Sequence, residues 1–547
     1  MIRRPSTLVI AALLLFGTPA IAHADSTSLV VATTAGKIRG TASAGLRQFK
    51  GIPYAAPPTG VRRFRPPAGV EPWSGVRDAA TFGAACMQPA NGVVPAGIAI
   101  SEDCLTANVW TPTAAADGAR PVMVFIHGGG FTEGTAAEPD YDGADLARKG
   151  VVVVTVQYRL GPFGYLDLSS AGDQYTSSGN NGLLDQIAAL RWVRNNAAAF
   201  GGDPGNVTLF GESAGAISAS AIMGSPLADG LYQRVILESG TPANVSDRAT
   251  SAKASAAYQA LAVAWGVGAL RGRSADQLQS AADALYNLSF SDTAFGPVVD
   301  GRVLPEHPMT RLASAKGPRV PVLVTTTRDE ARYWIQEMPA VEYVPVEFYR
   351  PWLANLIGDG NVDAAIDTYR ASRPNLTSAQ VGLALVGDAA FRAPSLRVAE
   401  TLARRGVPVW VGLFTTTSPK NGGKLGSPHG IDLGFVFGTL ASDPDFYGGE
   451  PWRIQLSGQV QNLWTTFAAT GRPGRTDWEP YTTASRSTLL IDHTSAVHND
   501  PLPGERQVFA GLPYDGVKPT LMELTPLTYL WAGPHPARTS RSTAAGR

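Results

Sequence analysis

From residue 120 onward, short apolar runs alternate with longer amphipathic ones. PVMVFI, GVVVVTV, NVTLF, RVIL, VPVLVTTT and VPVWVGLF are rich in β-branched residues and end at glycine, proline or charge. None shows the in-out alternation of a half-exposed strand, so the pattern predicts strands buried on both faces. Between them, NNGLLDQIAALRWVRNNAAAFG places Leu183, Leu184, Ile187, Leu190, Trp192 and Val193 at helical spacing. It closes on Arg and Asn and then a Gly, the signals of a helix end. Nearer the start, SLVVATTAGKIRGTA alternates as a hairpin does. Strands interleaved with helices imply an α/β chain with a doubly wound, mostly parallel sheet. Residues 246–290 and 337–405 read as helices and loops and are expected to cap that sheet. No internal repeat occurs.

The first residues change the picture of compartment. Arg3 and Arg4 precede the apolar LVIAALLLFGTPAIA, and Ala22-His23-Ala24 sets small residues where a signal peptidase cuts. Residues 1–24 are therefore expected to be an export signal rather than a membrane anchor, because Gly17, Pro19 and the cleavage-like AHA interrupt the span. The paired arginines also allow the twin-arginine route. Residues 25–530 read as a single domain, and 531–547, small, polar and basic, as a disordered tail. Lys plus Arg equal Asp plus Glu at 45 each. No basic run points to nucleic acid and no acidic block to an interaction tail. The two cysteines, Cys86 and Cys104, most simply pair in an exported chain, the alternative being two buried thiols. They cannot by themselves build a metal site, and no metal or cofactor is expected.

The chemistry concentrates in NVTLFGESAGA. A G-x-S-x-G match says little in a chain with 59 glycines, but here it joins a predicted strand to a predicted helix, AISASAIMG. Such a turn strains the backbone of Ser213, and Gly211 and Gly215 leave room where a side chain would strike main chain. The helix that follows turns its positive end toward the serine oxygen. FIHGGGF ends another strand, and its glycines expose the N–H groups of Gly129 and Gly130; with that of Ala214 they could hold an oxyanion. In an α/β-hydrolase the acid and then the histidine follow the serine. That order leaves His307, His429, His493, His498 and His535. His429 stands in a glycine-rich loop after VPVWVGLF and is the expected base. Asp329 and Glu330 end the strand VPVLVTTT, and the residues alone do not choose between them.

These segments resemble the type-B carboxylesterases of the α/β-hydrolase fold, which include cholinesterases and bacterial para-nitrobenzyl esterases. FGGDPGNVTLFGESAG follows the nucleophile signature and SEDCLTANVWTP the second signature. FKGIPYAAPP, QYRLGPFGYL and FGPVVDG look like further family segments, from about Gly36 to about Leu512. The resemblance implies a secreted serine carboxylesterase acting through an acyl-enzyme, with Ser213, Glu330 and His429 catalytic. It also implies a Cys86–Cys104 disulfide, buried supporting contacts from Glu212 and Ser239, no cofactor, and a small-molecule ester as partner. Ala107, Ala331 and Asp432 depart from the family pattern without removing a catalytic group. The disulfide loop, MQPANGVVPAGIAISED, lacks the aromatic residue that would hold a choline by cation–π attraction. SFSDTAF puts small or polar residues where cholinesterases narrow the acyl pocket. A lipase, or a hydrolase for a toxin, antibiotic or polyester, is the nearer alternative, and a non-catalytic adhesion relative the more distant one.

Overall fold

The computed structural model describes residues 28–114, 116, 118–289 and 295–512; the leader 1–24, the tail and His535 lie outside them. In chain order the strands are β1 (Val30–Ala32), β2 (Lys37–Arg39), β3 (Thr41–Ser43), β4 (Leu46–Pro53), β5 (Val76–Asp78), β6 (Thr106–Pro112) and β7 (Arg120–Ile126). They continue with β8 (Val152–Val156), β9 (Gly202–Glu212), β10 (Arg234–Glu238), β11 (Val322–Thr327), β12 (Val409–Phe414), β13 (Ser487–Ile491) and β14 (Ala496–Asn499). β1 and β2 form the antiparallel hairpin expected from the N-terminal alternation, and β5 joins them in a small sheet. The other 11 strands form one sheet in the order β14-β13-β12-β11-β10-β9-β7-β8-β6-β4-β3. From β8 across to β13 every neighbouring pair is parallel, and antiparallel strands close both edges.

Each predicted apolar run is a central strand, and its continuity has a structural cause. Val122 and Val124 of β7 face one core while Met123 and Phe125 face the other; Val235 and Leu237 of β10 are likewise separated from Ile236. With helices on both faces, both sides of each strand are buried, and the polar residues they carry are buried too, mostly threonines such as Thr155, Thr208 and Thr325. The helix Asn181–Asn196 lays Leu183, Ile187, Leu190 and Val193 on one face. The helix Pro451–Thr470 covers the other with Leu456, Val460, Trp464 and Phe467. Residues 248–289 and 339–404 are mostly helical, in line with the composition of the two cap-like segments.

The register lines up the C-terminal ends of the parallel strands. Ile126 of β7 pairs with Gly211 of β9, and Glu212 of β9 with Glu238 of β10. Loops leaving β7, β9, β10, β11 and β12 therefore open on the same edge, where a parallel α/β sheet presents its ligand crevice.

Candidate active site

Ser213 follows β9 directly and caps the helix Ala214–Met223 with φ 55° and ψ −124°. A non-glycine residue held there is strained. The turn is affordable only because its flanks lack side chains. A Cβ on Gly215 would lie 1.9 Å from the carbonyl oxygen of Ile126, and one on Gly211 would lie 2.6 Å from the carbonyl carbon of Gly215. Ser213 N–H donates to Glu238 O at 2.9 Å, tying the turn to the end of β10. The serine is half-buried, at the floor of the crevice.

The glycine loop after β7 stands beside it. A Cβ on Gly128 would come 3.1 Å from Ser213 Cβ, and Gly129 and Gly130 take φ 102° and 59°. Among the described residues the N–H groups of Gly129, Gly130 and Ala214 donate no hydrogen bond. Unpaired donors converging beside a strained serine are the arrangement that developing negative charge requires.

His429 arrives from the loop after β12 and Glu330 from the end of β11. Nδ1 of His429 is 2.6 Å from Glu330 Oε2, and both residues are buried. The other carboxylate oxygen of Glu330 accepts from Thr327 N–H at 2.8 Å and from Ser239 Oγ at 2.6 Å. Asp329 turns away: its carboxylate meets Arg332 at 3.2 Å, Arg373 at 3.3 Å and Ser427 N–H at 3.0 Å. Packing thus decides between the two acids. Nε2 of His429 is 3.1 Å from Glu212 Oε1 and makes no hydrogen bond with the Ser213 hydroxyl in this structure.

The imidazole sits in an excess of buried acid. Glu212, Glu238 and Glu330 at these strand ends and Asp432 in the helix Ile431–Phe437 are all buried. Burial opposes the imidazolium, but Glu212, Glu330 and Asp432 outweigh it and raise His429 to about 9. Burial, with Asp432 and Glu330 adding to it and His429 opposing, raises Glu212 to about 8. Burial and Glu330 lift Asp432 to about 7. Burial and Asp432 push Glu238 well above the usual carboxylate range, although Trp464 Nε1–H donates to its Oε1. A negative enclosure of this kind favours the cation that a general base becomes.

Aromatic rings wall the histidine: Phe391 at 4.7 Å, Trp334 at 5.7 Å and Tyr333 at 6.1 Å between ring centroids. Phe391 comes from a π-helical turn, Asp388–Arg392, inside the second helical segment. The other described histidines lie elsewhere. His127 is buried against Tyr158, His307 caps a helix, His493 packs on Trp452, and His498 is on the edge strand β14. Cys86 and Cys104 are disulfide-bonded with Cα atoms 5.1 Å apart. Ala107 and Ala331 are buried in close packing. Glu212 and Ser239 stand by the His429–Glu330 pair as the resemblance implies, whereas Glu238 and Asp432 in the acid cluster, and the aromatic wall, are additions of the fold. Glu238 beside Ser239 in LESG was the visible signal for the first, and the π-turn left none for the second.

The carboxylesterase family model matches residues 27–508. The chain is 38% identical over 493 residues to the para-nitrobenzyl esterase of Bacillus subtilis strain 168, covering 88% of this chain and 98% of that one. It is 34% identical over 469 residues to the fumonisin B1 esterase of Sphingopyxis macrogoltabida, covering 83% and 84%. Among solved structures, the Geobacillus stearothermophilus carboxylesterase Est55 superposes with a TM-score of 0.80 at 35% identity, covering 88% of this chain and 100% of that one.

Proposed function

The chain belongs to the carboxylesterase family and is a carboxylic ester hydrolase, and from that premise we propose that it works by two-step acyl transfer through Ser213. The observations that carry this reading are the strained Ser213 beside the glycine loop with its unpaired main-chain N–H groups, and the His429–Glu330 pair whose Nε2 meets Glu212, the residue before the serine. Nε2 of His429 leaves Glu212 and takes the Ser213 proton as Oγ bonds to the ester carbonyl carbon. The N–H groups of Gly129, Gly130 and Ala214 hold the oxyanion. The imidazolium keeps its Nδ1–H on Glu330 and returns the other proton to the departing alcohol. Water then attacks the acyl-enzyme, loses its proton to His429, and releases the acid as Ser213 regains its own. To act as the base His429 must be neutral with Nε2 unprotonated, so activity requires the imidazolium to lose that proton first.

The aromatic wall of Tyr333, Trp334 and Phe391 fits an ester with an aryl or bulky apolar group. Residues 290–294 of SFSDTAF lie outside the described residues. Residues 25–530 are taken as one domain with the segments 246–290 and 337–405 roofing the site, a reading supported by Phe391 reaching His429. Export of the mature chain is supported by the apolar leader and the Cys86–Cys104 disulfide. Among the described residues no helix is long and apolar enough to cross a membrane.

An organophosphate with a fluorescent or mass tag tests the mechanism. We expect stoichiometric loss of esterase activity, a single adduct on the peptide containing Ser213, and neither hydrolysis nor adduct in Ser213→Ala. Full hydrolysis by Ser213→Ala refutes it.

A further inference from the structure

A loop whose N–H groups must face substrate cannot spend them on a sheet, so it has to be held from behind. We propose that Gln88 does this: it is a positioning residue for the loop carrying the candidate oxyanion donors, an inference that rests on the acyl-transfer reading above. Gln88 belongs to the disulfide loop, far from the crevice residues in sequence, and is only 2% exposed. Its side-chain amide pairs with both main-chain groups of Gly134: Gly134 N–H donates to Oε1 at 2.9 Å, and Nε2–H donates to Gly134 O at 2.9 Å. A carboxamide offers a carbonyl and an N–H side by side, as a strand does, so one side chain here replaces a strand neighbour. The two bonds together resist rotation of the Gly134 peptide, which one bond would permit.

Gly134 passes that restraint to the donors. Its backbone is pressed on the glycine loop so tightly that a Cβ there would lie 2.5 Å from Gly128 O and 2.6 Å from His127 Nδ1. The preceding residue closes the turn, with Glu133 N–H donating to Gly129 O at 3.0 Å. Fixing residue 134 therefore fixes the peptide planes at 128–129. Gln88 itself is held by the cross-link two residues earlier, since Nε2 also donates to Cys86 O at 3.0 Å and Cys86 is bonded to Cys104. The disulfide, Gln88, Gly134 and the donor loop form one continuous chain of contacts.

The test uses the whole enzyme, an aryl ester, and an alkyl boronic acid, whose tetrahedral adduct on Ser213 engages the same donors as the transition state. Gln88→Leu keeps roughly the same shape and removes both bonds to Gly134 together with the one to Cys86 O. Small displacements of a reacting group cost on the order of 10- to 100-fold in rate. We expect kcat to fall by about that factor and the boronic acid to bind more weakly in parallel, while KM stays within about threefold. A generally loosened fold would lower the thermal midpoint without linking kcat to boronate affinity. If Gln88→Leu does not fold, Gln88→Met keeps the length of the side chain and likewise offers Gly134 no amide, and a loss of the same kind is expected. A folded variant with wild-type kcat and boronate affinity overturns the inference. Wild-type enzyme that the boronic acid does not inhibit strikes the underlying mechanism instead, so the two failures are distinct.

Discussion

Replacing Glu330 by glutamine isolates its charge from its shape. The exchange is isosteric, so thermal stability should change little, but the surrounding donors dictate how the new amide must lie. Oε1 of Glu330 accepts from the main-chain N–H of Thr327 at 2.8 Å, a donor that cannot be reversed, and from Ser239 Oγ at 2.6 Å. The amide oxygen must occupy that place, because an NH2 group there would oppose the Thr327 N–H. The NH2 is then forced toward Nδ1 of His429, 2.6 Å away from the present Oε2. Nδ1 becomes the acceptor, and the neutral ring carries its proton on Nε2. With Nδ1 committed to the amide, the ring is held in the tautomer whose Nε2 already carries a proton and cannot take one from serine. Loss of the correct tautomer in a serine hydrolase costs about 10⁴ in kcat, or about 5.4 kcal/mol of barrier at 1.36 kcal/mol per tenfold. We therefore expect Glu330→Gln to lower kcat by roughly 10³- to 10⁴-fold, with a thermal midpoint within a few degrees of wild type. Steady-state hydrolysis of an aryl ester beside a melting curve reads both. A folded variant within tenfold of wild-type kcat refutes the tautomer argument.

Three further outcomes follow from the same contacts. Glu212→Gln removes a negative charge 3.1 Å from Nε2, so the imidazolium is less favoured and His429 titrates below its present value of about 9. The acid limb of the kcat/KM profile should move to lower pH, and a limb that stays or rises shows that Glu212 does not favour the imidazolium. Opening the disulfide with Cys86→Ser and Cys104→Ser frees a loop of 18 residues. Unfolding free energy should drop by about 3 kcal/mol on the chain-entropy scale, measured by urea titration; a change below about 0.5 kcal/mol counts against it. Gly215→Ala puts a methyl group 1.9 Å from Ile126 O, a clash with main chain rather than with a movable side chain. Its cost should exceed the roughly 1–3 kcal/mol usual for overpacking, seen as a lower thermal midpoint or loss of soluble protein.

The sequence determined whatever depends on local pattern. Runs such as PVMVFI could only be strands covered on both faces, because nothing polar interrupts them, and β7 to β12 lie where those runs stand. G-E-S-A-G between a strand and a helix implied a forced turn, and its glycines prove necessary by the clashes a Cβ would make. What the sequence left open was direction. Asp329 and Glu330 are neighbours with the same chemistry, and only the packed loops send one carboxylate to arginines and the other to His429. Glu212 and Glu238 meet because the parallel register pairs their strand ends, and the helix Ile431–Phe437 packs Asp432 against them from a separate segment. Gln88 was one polar residue of the disulfide loop until folding set it beside Gly134, 46 positions away. Period and propensity act over a few residues, whereas a charge, a tautomer or a buried amide is defined by neighbours that only the closed sheet supplies.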